Sequence, residues 1–212
     1  MTYEESLMSM ERGKYYHVYN RGNNRETIFK ESLNYQYFLE LWAKYIDPIA
    51  ETICYNLLPN HFHFFIRLFT KEELEEKISK IENPTQQQLK KFRRVFLDPE
   101  QHFSNLFNAY AKALNKRHLR VGSLFQKRFK RKEIDSTIYF TVLVAYILTN
   151  AVKHGISDNL DEYPWSSYQD LVQATDKNPV IKRFGDKAEF LKYLDIYRQH
   201  LNFIRLTSEM NK

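Results

Sequence analysis

The chain has 212 residues, 43% of them hydrophobic, which is enough apolar material for one large core and excludes a disordered or low-complexity protein. Cys54 is the only cysteine, so an intramolecular disulfide and a thiolate metal cage are both excluded, while a net charge of +6 favours a polyanionic partner. The opening stretch MTYEESLMSMERGK lacks the basic start and apolar run of a secretory leader, and no apolar run reaches the ~20 residues that span a bilayer, so the expectation is a cytoplasmic protein without membrane contact.

In chain order, YYHVYNR at 15–21 has the aromatic and β-branched content of a strand and stops at the turn signal Gly22-Asn23. Over 34–45, Tyr37, Phe38, Leu41, Trp42 and Tyr45 recur at spacings of three and four and predict an amphipathic helix that ends at Asp47-Pro48. IAETICYNLL and HFHFFIRLF predict two strands joined as a hairpin at Pro59-Asn60. The segment 71–100 is charged, is helical over 71–82, is broken at Asn83-Pro84 and Asp98-Pro99, and reads as an insertion outside the core. Phe103, Leu106, Phe107, Tyr110, Ala113 and Leu114 predict a helix over 101–117, and VGSLFQKRFKRKEI at 121–134 a returning strand or hairpin.

The order βαββαβ specifies an α+β fold of the ferredoxin-like, split βαβ kind, an antiparallel sheet with its helices on one face. A further helix follows over 136–154, capped by Asp135 or Ser136 and stopped by Gly155, despite the β-branched Ile138, Thr141, Val142 and Val144. After Pro164 the pattern predicts a loop and a closing helix over 186–201. The whole chain, 1–212, reads as a single domain with a core of about 14–170 and a C-terminal helical extension over 171–212.

Strand alternation in HFHFFIRLF turns Phe62, Phe64, Ile66 and Leu68 towards the helices and His61, His63, Phe65 and Arg67 onto the other, uncovered face. His61 and His63 then stand ~7 Å apart and can converge on one ion, although such a pair is more often a hydrogen-bonded pair on a solvated face. On the 136–154 helix, Tyr146 and Asn150 share a stripe with Lys153 one turn further on. An amide oxygen can then be a third ligand, and a tyrosine hydroxyl one turn away a nucleophile; an ordinary core tyrosine is the alternative. Nine cations lie between positions 112 and 132 with no acidic residue: Lys112, Lys116, Arg117, Arg120, Lys127, Arg128, Lys130, Arg131 and Lys132. Interleaved with Phe125 and Phe129, they suit a single-stranded backbone and its unstacked bases.

The stretches YHVYNRGNNRETIF, LLPNHFHFFIRL, GSLFQKRFK, AYILTNAVKHG and EYPWSSY occur in the order and with the character of motifs in the single-tyrosine HUH transposases. Over roughly 15–168 the chain resembles the REP-associated tyrosine transposase branch of that family. The resemblance implies a nuclease domain that binds single-stranded or hairpin DNA and cuts and rejoins it. It further implies that His61 and His63 bind a divalent ion, Mg or Mn, that Asn150 completes the site, and that Tyr146 is the nucleophile, leaving a 5′-phosphotyrosine and a free 3′-hydroxyl. The proline of the family's Y-I-x-x-N-P helix is Ala151 here, a departure that bears on the bend after the site. Arg21, Arg25 and the basic run would position the backbone, with Asn60 and Lys153 in support, in a monomer or homodimer. Two other readings stand beside this one. One is a ferredoxin-like RNA-processing or RNA-binding protein in which a histidine acts as general base without metal; the other is a domesticated DNA-binding protein that forms no adduct.

Overall fold

The computed structural model describes residues 9–210, with side chains described outside 91–93 and 201–210; most of the opening stretch and the last two residues of the C-terminal extension lie outside the described residues. Strands β1 (Tyr15–Arg21), β2 (Ala50–Leu58), β3 (His61–Leu68) and β4 (Lys130–Ile134) form one antiparallel sheet in the order β2-β3-β1-β4. β3 thus sits between β1 and β2, which is the split βαβ topology expected from the order of elements. The two-residue turn at Pro59-Asn60 fixes the hairpin register at Leu58↔His61, and a bulge between Thr52 and Cys54 bends β2.

Helices α1 (Ser32–Tyr45) and α4 (Pro99–Arg117) cover one face. Their apolar stripes meet the even-numbered residues of β3, and the core is strongly aromatic: the Trp42 ring stacks on Phe64 at 3.5 Å, Phe38 lies 5.0 Å from Phe62, and Phe107 lies 5.6 Å from Phe62. Within 71–100, α2 (Lys71–Ser79) and α3 (Gln86–Val95) dock on this same core through Leu74 and Val95. Arg67 on β3 binds Glu73 with both guanidinium nitrogens, at 2.8 and 3.1 Å, and so ties α2 to the sheet.

The opposite face is covered too, which corrects the expectation that the histidine face is open. Helix α5 (Thr137–Leu148) is apolar almost all round, with Phe140, Leu143, Val144, Ala145, Ile147 and Leu148 buried, so it needs partners on two sides. It finds the sheet on one side and α9 (Lys187–Met210) on the other, where Phe190 and Leu194 join the core built on Cys54, Phe65 and Ile134.

The helix expected over 136–154 divides at Thr149 into α5 and α6 (Asn150–Lys153). Thr149 has ψ 0, and its hydroxyl donates to the Ala145 carbonyl at 2.7 Å, the back-bonding that bends helices, so the bend forms here without a proline. The returning segment is strand only over β4. The loop expected after Pro164 contains two short helices, α7 (Tyr168–Gln173) and α8 (Pro179–Lys182), and α9 runs beyond the end expected for it. Among the described residues no helix is long and apolar enough to cross a membrane.

Candidate active site

The pairing of β1 with β3 sets Arg21 opposite His61, Tyr19 opposite His63 and His17 opposite Phe65, all on the face that α5 covers. His17 is therefore the diagonal neighbour of His63, and its Nε2 lies 2.9 Å from His63 Nδ1 in a hydrogen bond between stacked rings. Both are buried, at 7% and 6% exposure. From α5, the Tyr146 ring stands edge-on to His63 at 5.5 Å and to His17 at 6.2 Å. Just past α6, the His154 ring lies 5.1 Å from that of His61, which is itself 5.2 Å from His63. The Lys153 ammonium sits over the Tyr146 ring at 4.8 Å.

Tyr146, Lys153, His61 and His63 therefore come together, joined by His17 and His154, which the sequence reading missed. A signal existed for both: His17 shares the parity of Tyr15 and Tyr19 on β1, and His154 falls two helical turns after Tyr146. Asn150 is four residues from each of Tyr146 and His154 and is fully buried, and neither atom of its carboxamide has a hydrogen-bond partner. Such a group loses about 1–3 kcal/mol of solvation and calls for a functional explanation. The helix is held against the sheet by Asn56 of β2, whose amide nitrogen donates to the Ile147 carbonyl at 2.9 Å, at the end of α5 where carbonyls lack helical partners.

Burial keeps the histidines neutral at pH 7. It lowers His17 to about 3, with Lys132 adding to the effect, and lowers His61 to about 4, helped by His154 and Arg21. His63 lies well below the usual histidine range, first through burial and then through its histidine neighbours. A neutral imidazole carries one N–H and one lone pair. His61 Nδ1 is 2.6 Å from Asn60 Oδ1, an oxygen that only accepts, so His61 donates there and its Nε2 lone pair is free. Asn60 is oriented in turn by donating from Nδ2 to the Arg25 carbonyl at 3.2 Å. Gly22 permits this turn to close: its N–H donates to the Asn60 carbonyl at 2.8 Å, and a Cβ there would lie 2.2 Å from the Glu26 carbonyl oxygen.

The donor atoms present are of kinds that a divalent ion takes: His61 offers Nε2, His63 offers Nε2 when its Nδ1–H donates to His17, and Asn150 carries an orphaned amide oxygen. Among the described residues no group of three or more His, Cys, Asp or Glu side chains could hold a metal ion.

A stability consequence follows for the metal-free protein. The folded pKa values of His17 and His61 lie below the ~6.5 of an unfolded histidine, so unfolding takes up protons between those values. The contribution is complete above about pH 6.5 and is lost as pH falls towards 4, at about 1.4 kcal/mol per pH unit for each proton taken up. Urea midpoints are expected to fall steadily from pH 7 to pH 5; a flat profile would show that the histidines are not held neutral.

The basic residues separate by face. Arg21 adjoins His61, with its Nε buried and unpartnered, and Lys130 on β4 lies 5.9 Å from the Tyr19 ring on the histidine face. Lys112, Lys116, Lys127 and Arg128 are exposed, as is Arg25. The acid-free run is not acid-free in space. Arg117 pairs with Glu31, Arg120 pairs with Glu26 and binds the Gly122 and Ser123 carbonyls, and Arg131 is largely buried beside Glu100 and the Phe129 ring. These three arginines hold the protein together at their present positions.

Neither a family model nor a curated protein matches the sequence. Among solved structures the chain is similar to a REP-associated tyrosine transposase bound to a REP hairpin, at 16% identity and a TM-score of 0.49, over 82% of this chain and 86% of that chain.

Proposed function

We propose that the protein is a metal-dependent single-stranded DNA endonuclease and strand-transfer enzyme of the single-tyrosine HUH type, acting on hairpin DNA. The observation that carries this reading is the placing of Tyr146 5.5 Å from the ring of His63, itself 5.2 Å from that of His61, with a buried and unpartnered Asn150 four residues after the tyrosine. A bound Mg²⁺ or Mn²⁺ held by His61, His63 and Asn150 would polarise the scissile phosphate and stabilise charge on the departing 3′ oxygen.

The chain's own groups do the rest. The Tyr146 oxygen attacks phosphorus, a Tyr–O–P bond forms and the P–O3′ bond breaks, and the phenolic proton is balanced by the one that the 3′-hydroxyl gains. The phosphotyrosine conserves the energy of the broken ester, so attack by a second 3′-hydroxyl rejoins DNA without another energy source. Lys153 steadies the Tyr146 ring from above, and Asn60 and His17 fix the orientation of the two imidazoles. The site opens at its His61 end, where Lys153 and His154 are exposed and Arg21 is available to a backbone phosphate. The metal-free RNA-processing reading is disfavoured by the histidines it would use as base, because His61, pushed to about 4, and His63, held well below the usual range by burial, are weak bases near neutrality.

The test is to incubate end-labelled hairpin DNA from the flanks of the gene with the protein and Mn²⁺, then run a denaturing gel. Cleavage that stops on chelation is expected. Cleavage of a matching RNA hairpin without metal would instead establish the RNA-processing reading.

A further inference from the structure

On the side of the sheet away from Tyr146, a cleft of about 420 Å³ opens between α4 and the segment 122–129 that leads into β4. Its floor is apolar: Phe107 packs against both Phe125 and Phe129, with the rings tilted and centroid separations of 5.3 and 5.5 Å. Its rim carries the carboxamides of Asn108 and Gln126, which have no hydrogen-bond partner among the described residues. Lys112, Lys127 and Arg128 also stand at the rim, and among the described residues none of them is in an ion pair, unlike the paired Arg117, Arg120 and Arg131 of the same run.

The outer wall is built to hold its shape. Arg120 donates to the Gly122 carbonyl at 2.9 Å and to the Ser123 carbonyl at 2.6 Å, Asn115 donates to Gly122 at 3.0 Å, and Ser123 Oγ donates to the Phe125 carbonyl at 2.7 Å. Arg128 is held at φ 60, a backbone state that a non-glycine residue rarely adopts. The wall is also joined to the active-site strand: the Asn23 N–H donates to the Leu124 carbonyl and the Gln126 N–H to the Arg21 carbonyl, both at 2.9 Å, and Arg21 is the cross-strand partner of His61.

An apolar floor, amides that both donate and accept, and unpaired cations at the mouth are the complement of a nucleobase on its phosphate backbone. We propose that this cleft seats one unstacked base of the DNA single strand whose phosphate is presented to Tyr146, with Asn108 and Gln126 reading the base edge and Lys112, Lys127 and Arg128 holding the flanking phosphates. The proposal rests on the function inferred above and adds a subsite to it. The connection through Arg21 argues for a polymer over a free small molecule, since a strand leaving the cleft along this wall is led to His61.

The test compares binding of dT12 with that of a twelve-nucleotide all-abasic strand, by fluorescence anisotropy without divalent metal, for the wild type, Ser104→Trp and the double variant Asn108→Ala/Gln126→Ala. Ser104 is an exposed lining residue, so its replacement by tryptophan fills the cleft without removing charge, and Asn108 and Gln126 are exposed, so folding is spared. Both variants are expected to lose about 10-fold in affinity for dT12 and to bind the abasic strand unchanged. Equal loss for both strands, no loss for either, or no binding of dT12 by the wild type would overturn the proposal; tighter binding of U12 RNA than of dT12 would overturn its assignment to DNA. Because no cleavage is read, a chain that binds dT12 through its bases yet never forms a Tyr146 adduct would keep this subsite and lose the nuclease.

Discussion

Tyr146→Phe is expected to abolish strand cleavage and adduct formation, by on the order of 10⁴-fold or more, while leaving hairpin binding and the fold in place. The substitution removes one oxygen and nothing else. Tyr146 is half-buried, its hydroxyl forms no hydrogen bond among the described residues, and its ring keeps its contacts with His63, His17 and Lys153. The effect on stability should stay within about 0.5 kcal/mol, so urea titration of the variant separates a chemical role from a structural one. Retention of cleavage in the phenylalanine variant would return Tyr146 to the status of a packing residue.

His63→Ala is the second large expected effect, and it has two readouts. Calorimetric titration with Mn²⁺ should show affinity reduced by about 100-fold or more, since a ligand is lost where even an orienting partner is worth 10- to 100-fold. The apo protein should also lose about 1–3 kcal/mol, because the substitution leaves a cavity under α5 and strips His17 Nε2 of its partner. Asn60→Ala should reproduce the first effect at about 10-fold with little of the second, because Asn60 sets the orientation of His61 from the turn and is not itself buried. Mn²⁺ affinity unchanged by His63→Ala would remove the histidine pair from the metal site.

Local pattern carried much of this molecule. The period-two alternation of HFHFFIRLF placed His61 and His63 on one face, and the spacing of Phe38, Leu41 and Trp42 placed α1 on the other. Tyr146 was singled out through its spacing from Asn150 and its place in a familiar motif order. What stayed hidden was set by contacts distant in sequence. Glu26 and Glu31 reach Arg120 and Arg117 across 94 and 86 residues, so no local count could reveal that the basic run is partly neutralised. His17 becomes a partner of His63 only once β1 and β3 are paired in this register.

Other features were legible in principle. The burial of the histidine face is written in α5, whose lack of a polar stripe requires a second packing surface. Thr85 and Gln88 form the capping box that starts α3, and Leu89, Phe92 and Val95 recur along it at a spacing of three, a stripe lost to view among polar and charged neighbours. The break at Thr149 arises from a side chain bonding back to its own helix, which few sequence rules anticipate and which the missing proline at Ala151 concealed.

The proposed mechanism requires Tyr146 to become covalently joined to DNA. The direct measurement is to react the protein with hairpin DNA and Mn²⁺, digest with nuclease and protease, and weigh the peptide containing Tyr146 by mass spectrometry. A peptide heavier by a 5′-phosphorylated nucleotide, with fragmentation placing the added mass on Tyr146, is the expected result. Cleaved DNA with every tyrosine-containing peptide unmodified would show that the strand is broken by another group or by water, and would contradict the tyrosine mechanism.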